Sequence, residues 1–123
     1  SVKGVVVNWA PVVEAGWHVD PLFLEAKAVV DATGHDAYLV RLLAKRFPHL
    51  GLSVPGMASL SAWKGEEMVV EKTGKILPGL YVAGMSVAET YNTPRMGPLA
   101  SGMMVSGKKV AEIIARDLEE DVR

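Results

Sequence analysis

One stretch constrains the fold more than any other: Ala26-Lys27-Ala28-Val29-Val30-Asp31-Ala32, which runs into Thr33-Gly34. A strand with one wet face alternates apolar and polar residues. This run is nearly continuously apolar, so it reads as a buried parallel strand, covered on both faces, whose carboxyl end meets a helix. Leu80 to Ala83, bounded by Gly79 and Gly84, has the same character in a shorter form. Buried strands among helical patterns imply an α/β unit.

Gly4 to Ala10 is rich in β-branched residues and is expected to be a strand that turns at Pro11, resumes through Val12 and Val13, and reaches a turn at Ala15-Gly16. Leu22 to Glu25 is expected to be the second arm of a hairpin. From Asp36 to Phe47, Leu39, Leu42, Leu43 and Phe47 recur at helical spacing opposite Arg41, Lys45 and Arg46, and Pro48 stops the pattern. Gly51 to Gly65, rich in glycine and serine, reads as a surface loop, Glu67 to Glu71 as a short strand, and Thr73-Gly74-Lys75 as a turn. Pro98 is expected in the first turn of the longest helix, with Leu99, Met103, Val110, Ile113, Ile114 and Leu118 at helical intervals. Gly102, Ser106, Gly107, Ala111 and Ala115 give that helix a small-residue side that a sheet or cofactor can approach closely.

The chain has 123 residues, half of them hydrophobic and 22% charged, enough for one core, and is read as one domain or part of one. A net charge of −1 with interspersed signs offers no basic stripe to nucleic acid and no dense Lys/Arg cluster to an anionic membrane. Its apolar runs fall far short of the roughly 18 residues that span a bilayer. A cytoplasmic protein is expected, with neither nucleic acid nor membrane as partner. Cysteine is absent, which excludes disulfides, thiolate metal ligands and a cysteine nucleophile or sulfur donor in this chain. Its chemistry must use His, carboxylates, Arg or backbone groups. The chain opens at Ser1 and enters a strand pattern almost at once, so a fragment is expected.

Asn92-Thr93-Pro94-Arg95-Met96-Gly97-Pro98 sets an arginine beside the start of the longest helix. Unpaired N–H groups in a helix's first turn attract a carboxylate or phosphate, and a guanidinium grips the same anion through two hydrogen bonds. The stretch reads as an anion cradle; the plainer alternative is a surface arginine paired with a neighbouring glutamate. His18 and Asp20 alternate in an extended segment and project to one side, and His35 arrives at a strand's carboxyl end. Imidazole with carboxylate suits a divalent first-row metal such as iron or zinc. On spacing alone the alternative is that Asp20 caps a turn before Pro21 and His35 caps the following helix. Met85 and Met96 read as gap-filling apolar residues, and Trp9, Trp17 and Trp63 as core or pocket rim. Asp31 stands at a strand end, where a ribose can be held. Glu66, Glu67 and the run Asp117 to Asp121 read as solvated faces. No Gly-x-Gly-x-x-Gly loop is present, so a dinucleotide-binding βαβ unit is expected upstream of Ser1 or in another chain.

Val7-Asn8-Trp9, His18-Val19-Asp20-Pro21, Val30-Asp31-Ala32-Thr33-Gly34-His35-Asp36, Pro78-Gly79-Leu80-Tyr81-Val82-Ala83-Gly84-Met85 and Pro94-Arg95-Met96-Gly97-Pro98, in this order, resemble the carboxyl-terminal half of the thiamine thiazole synthase family. The resemblance implies residues 1–123 as a single partial domain. That domain would be the carboxyl-terminal portion of a glutathione-reductase-like dinucleotide-binding (Rossmann-type) fold, with a hairpin segment and a long final helix. It implies a transferase-like enzyme of thiamine biosynthesis that converts NAD, glycine and a sulfur source into an adenylated thiazole carboxylate. Eukaryotic members take sulfur from a cysteine of their own, at the position of His18. A histidine there, with no cysteine elsewhere, resembles the archaeal and bacterial type, which uses sulfide and bound ferrous iron.

Carried over by position, Asp20 and His35 resemble the iron ligands, contributed across a subunit interface of a homo-oligomer. His18, Val19, Asp20 and Met85 match positions along NAD or the adenylated intermediate. Arg95 matches the residue that binds the glycine carboxylate, with Met96 and Gly97 beside it. The chain departs from the family at Leu99-Ala100-Ser101-Gly102, usually glycine-rich, and at Ser86, usually acidic. Two other readings stand at this point: a fragment of a flavin- or NAD-dependent oxidoreductase, whose strand ends are alike, and a non-catalytic remnant that binds an anion or assembles with other chains.

Overall fold

The computed structural model describes residues 1–97 and 100–122. An antiparallel hairpin comes first: β1 (Gly4–Val7) pairs with β2 (Leu22–Glu25), with α1 (Ala10–Glu14) between its arms. β3 (Val29–Asp31) is followed by α2 (Tyr38–Arg46), a 3-10 turn at Pro48–Leu50, β4 (Ala58–Leu60) and α3 (Ala62–Lys72). β5 (Gly74–Leu77), β6 (Leu80–Val82), α4 (Met85–Tyr91), β7 (Pro94–Arg95) and α5 (Ala100–Val122) complete the order.

The expected buried parallel pair is present. β3 and β6 run parallel with Asp31 opposite Val82, and β5 lies antiparallel along the other side of β6. Alternation along β6 divides the interior, because successive side chains leave a strand on opposite faces. Leu80 and Val82 pack with Val29, Val40, Val69, Val87 and Met96, while Tyr81 and Ala83 pack with Val110 and the half-buried Ile113 and Ile114 of α5. Burying each such aliphatic side chain contributes about 1.5–3 kcal/mol. Helices therefore cover both faces of a small sheet. Among the described residues no helix is long and apolar enough to cross a membrane.

At the end of β3 the Asp31 side chain is fully buried. Its carboxylate accepts from Val40 N at 3.0 Å, Thr33 N at 3.1 Å, Thr33 Oγ1 at 2.7 Å and Ser86 Oγ at 3.1 Å. A charge out of water persists only when its lone pairs are filled this way. Asp31 is thus the joint between β3, α2 and α4, rather than a ribose ligand. On the opposite face Tyr81 Oη donates to Asp117 of α5 at 2.6 Å and Lys75 Nζ lies 2.9 Å from the same carboxylate. Asp117 is therefore a tether of the long helix, and the acidic run is not wholly a solvated face.

Other expectations give way for identifiable reasons. Val12 and Val13 lie in α1 and not on a resumed strand, because Pro11 opens a helix where its missing N–H is no loss. The stretch Gly51 to Gly65 contains β4 and the start of α3, and Glu67 to Glu71 is the middle of that helix, its Val69 turned into the core. Gly74 starts β5 and does not sit in a free turn, while Thr73 Oγ1 donates back to Val69 O at 2.6 Å. α4 has no counterpart in the pattern: Met85 to Glu89 are all buried, so the polar stripe that marks a helix is missing. Trp9, Trp17 and Trp63 are 68%, 68% and 86% exposed and form no part of the core. On α5, Gly102 and Ser106 are buried and Gly107 is exposed. Pro98 and Leu99, assigned to the first turn of that helix, lie outside the described residues.

Asp31→Ala leaves several buried donors without an acceptor and is expected to destabilise the protein by about 3 kcal/mol or more, read from urea unfolding. The Tyr81 hydroxyl, pushed up to about 12 by burial and then by its bond to Asp117, adds stability that is complete below about pH 10 and lost as pH rises toward 12. Asp117, held below the ordinary carboxylate range by Tyr81 and then Lys75, adds stability that is lost instead as pH falls below about 4. Tyr81→Phe should therefore flatten the alkaline limb of a stability–pH curve measured by denaturant unfolding.

Candidate functional site

The carboxyl ends of β3 and β6 lie side by side, the edge of a parallel sheet where α/β proteins characteristically bind ligands. Each strand ends in a glycine of positive φ, Gly34 at 88° and Gly84 at 67°, and a Cβ on either would meet nothing within 4 Å. Both backbones border open space. Their amides are already committed: Gly34 N donates to Ser86 Oγ at 3.1 Å and Gly84 N to Ser106 Oγ at 3.0 Å. Ser86 and Ser106 come from distant parts of the chain, and no local pattern marks them.

His35 follows Gly34 and is exposed. The helix after it begins with Ala37 in a left-handed conformation and no side-chain cap, while Thr33 Oγ1 accepts from Tyr38 N at 2.7 Å. Thr33 does what the capping alternative assigned to His35, leaving the imidazole uncommitted. Met85, beside Gly84, has its side chain in the core.

His18, Val19 and Asp20 form the exposed connection between α1 and β2. None of His18, Asp20 or His35 enters an ion pair among the described residues. Two imidazoles and a carboxylate suit a borderline divalent metal such as ferrous iron. Their number does not suffice within one chain, since the described residues contain no group of three or more His, Asp or Glu placed to hold a metal. The donors fit iron in kind, and the described residues do not complete a set. The hairpin bearing His18 and Asp20 also exposes Val6, Trp9, Trp17, Leu22, Phe23 and Leu24. Apolar surface on this scale is characteristic of faces covered by further protein.

Arg95 is exposed and lies on β7, several residues ahead of α5, so the helix-start setting expected for it gives way to a strand. β7 pairs in parallel with β4, Leu60 opposite Arg95, and Arg95 O accepts from Ser61 N at 3.0 Å. The expected alternative, a glutamate partner, is absent among the described residues. Met96 is fully buried beneath the strand, and Gly97, at a φ of 65°, turns the chain beside Leu60. Among the described residues the guanidinium has no carboxylate partner, and its backbone is fixed.

The model of the Thi4 family matches residues 1–100. The chain is 52% identical over 120 residues to the thiamine thiazole synthase of Pyrobaculum arsenaticum, covering 98% of this chain and 46% of that protein. It is 55% identical over 119 residues to the thiamine thiazole synthase of Archaeoglobus fulgidus, covering 97% and 45%. The crystal structure of Thermovibrio ammonificans THI4 superposes with a TM-score of 0.88 at 47% identity, over 96% of this chain and 45% of that one. The chain thus spans a little under half the length of these relatives. With its strand ends, its donor-bearing hairpin and Arg95 in the order expected from the motifs, the chain belongs to the Thi4 family, whose relatives here are thiamine thiazole synthases.

Proposed function

We propose that the full-length protein is an iron-dependent thiazole synthase that forms an adenylated thiazole carboxylate from NAD, glycine and sulfide. This chain supplies the carboxyl-terminal part of a glutathione-reductase-like framework. The observation that carries the reading is Arg95: an exposed guanidinium with no carboxylate partner among the described residues, on a strand whose carbonyl is pinned by Ser61. A planar cation so held takes a small carboxylate through two hydrogen bonds, and glycine is the smallest amino acid that offers one.

The remaining roles follow the matched motifs. Met96 fills the floor beneath Arg95 and Gly97 bends the chain past it, so that glycine is met by side chain and backbone together. His18 and Val19, with the backbone of Met85 whose side chain is in the core, border the adenylated part derived from NAD. With His18 at the position where eukaryotic relatives carry the donor cysteine, sulfur comes from outside as sulfide. Asp20 of one subunit and His35 of another hold the iron, and the exposed apolar hairpin supports a homo-oligomer in which the two approach. Bound ferrous iron supplies a Lewis-acidic centre at which sulfide and substrate are gathered. The open space beside Gly34 and Gly84 leaves room for substrate against backbone.

Anaerobic incubation of the full-length protein with ferrous iron, sulfide, NAD and glycine should yield the adenylated thiazole carboxylate by mass spectrometry, and its absence would overturn the reading. Arg95→Ala should raise the KM for glycine by roughly 10- to 100-fold, the loss of one charge-assisted pair, with the KM for NAD little changed. His35→Ala should lose iron, measured by metal analysis after gel filtration, with the melting temperature within a few degrees of the parent.

A further inference from the structure

Glycine is a poor helix former, so one in the first turns of a helix calls for a packing reason. Gly65 is buried in α3. A Cβ there would lie 2.6 Å from Pro94 O, 2.8 Å from the carbonyl carbon of Arg95 and 2.8 Å from Met96 N. Ordinary contact begins at about 3.5 Å, and all three atoms are backbone, which cannot swing aside as a side chain can. The helix backbone therefore lies directly on β7. The residue that opens α3 also holds the strand: Ser61 N donates to Arg95 O at 3.0 Å, while its own carbonyl accepts from Gly65 N at 2.7 Å within the helix. From the other side α5 closes on Met96 through a second glycine. A Cβ on Gly102 would lie 2.6 Å from Glu66 Cγ and 3.3 Å from Met96 Sδ. Ser101 next to it donates a hydrogen bond to Glu66.

We infer that Gly65, supported by Gly102, is a positioning residue for Arg95: by admitting β7 against bare helix backbone it sets the depth at which the guanidinium stands, and so where the substrate carboxylate is seated. The inference rests on the proposed role of Arg95 in binding glycine. Any side chain at position 65 must push residues 94–96 outward by something near an ångström, and a displacement of that size at a substrate-holding group can cost about 100-fold.

The test compares Gly65→Ala and Gly107→Ala in the full-length protein. Gly107 lies on the open side of α5, where an added Cβ meets nothing within 4 Å. Gly65→Ala should raise the KM for glycine about 10- to 100-fold, leave the KM for NAD within about twofold, and shift the Arg95 side-chain Nε resonance in 15N spectra. Gly107→Ala should match the parent in all three. If Gly65→Ala does not fold, Gly102→Ala, which displaces Met96 from the other side, carries the same expectation at smaller size. A folded variant with unchanged glycine KM, an unmoved Arg95 resonance, or glycine and NAD constants that rise together would overturn the positioning role. A parent protein whose turnover does not depend on glycine would instead overturn the reading of Arg95, and the positioning role with it.

Discussion

A single buried carboxylate, Asp31, joins the end of one strand to the beginnings of two helices. Its oxygens take the Val40 amide, the Thr33 amide and hydroxyl, and the Ser86 hydroxyl, groups drawn from α2, the β3 exit and α4. The Val40 amide and the Ser86 hydroxyl would otherwise be buried without this acceptor, and the carboxylate without its donors would be a bare charge in a low-dielectric interior. The arrangement is stable only as a unit. Because Ser86 also accepts from Gly34 N, the same unit fixes the turn that presents His35. The exposed imidazole thus depends on a network whose centre, Asp31, is fully buried and out of reach of any ligand.

A second unit supports the other end of the site. The Pro94–Arg95 strand carries only two residues and could not hold its place by pairing alone. It is held because α3 and α5 approach it with glycines, and because Met96 anchors it in the core. Secondary structure contributes little here; close packing of backbone on backbone contributes most. The two units differ in kind, one made of hydrogen bonds around a charge and the other of steric fit. Both place an uncommitted polar side chain at the surface from a rigid interior.

What was legible from sequence follows from what each element presents to solvent. β3 and β6 could be read because strands covered on both faces lose their alternation, and α2 because one side of it stays wet. α4 could not, since a helix buried over Met85 to Glu89 has no polar stripe to reveal its period. α3 was hidden by Gly65 and by the β-branched pair Val69-Val70, whose local preference is outweighed by packing. The anion-cradle reading of Arg95 rests on its motif, while its structural setting was not legible, since the contacts that hold it come from Ser61, Gly65 and Gly102. His18, Asp20 and His35 could be singled out by residue type and by motif, and among the described residues no group of three or more such side chains is placed to hold a metal.

The hydroxyls of Ser86 and Ser106 occupy the Gly34 and Gly84 amides and so limit how this edge of the sheet can grip an anion. Backbone N–H groups at strand exits are the usual grip on pyrophosphate, and here that grip is already closed. A group lying along this rim finds both of those amides taken and meets the backbone there through shape. Contact of that kind is set by steric match and is largely indifferent to ionic strength.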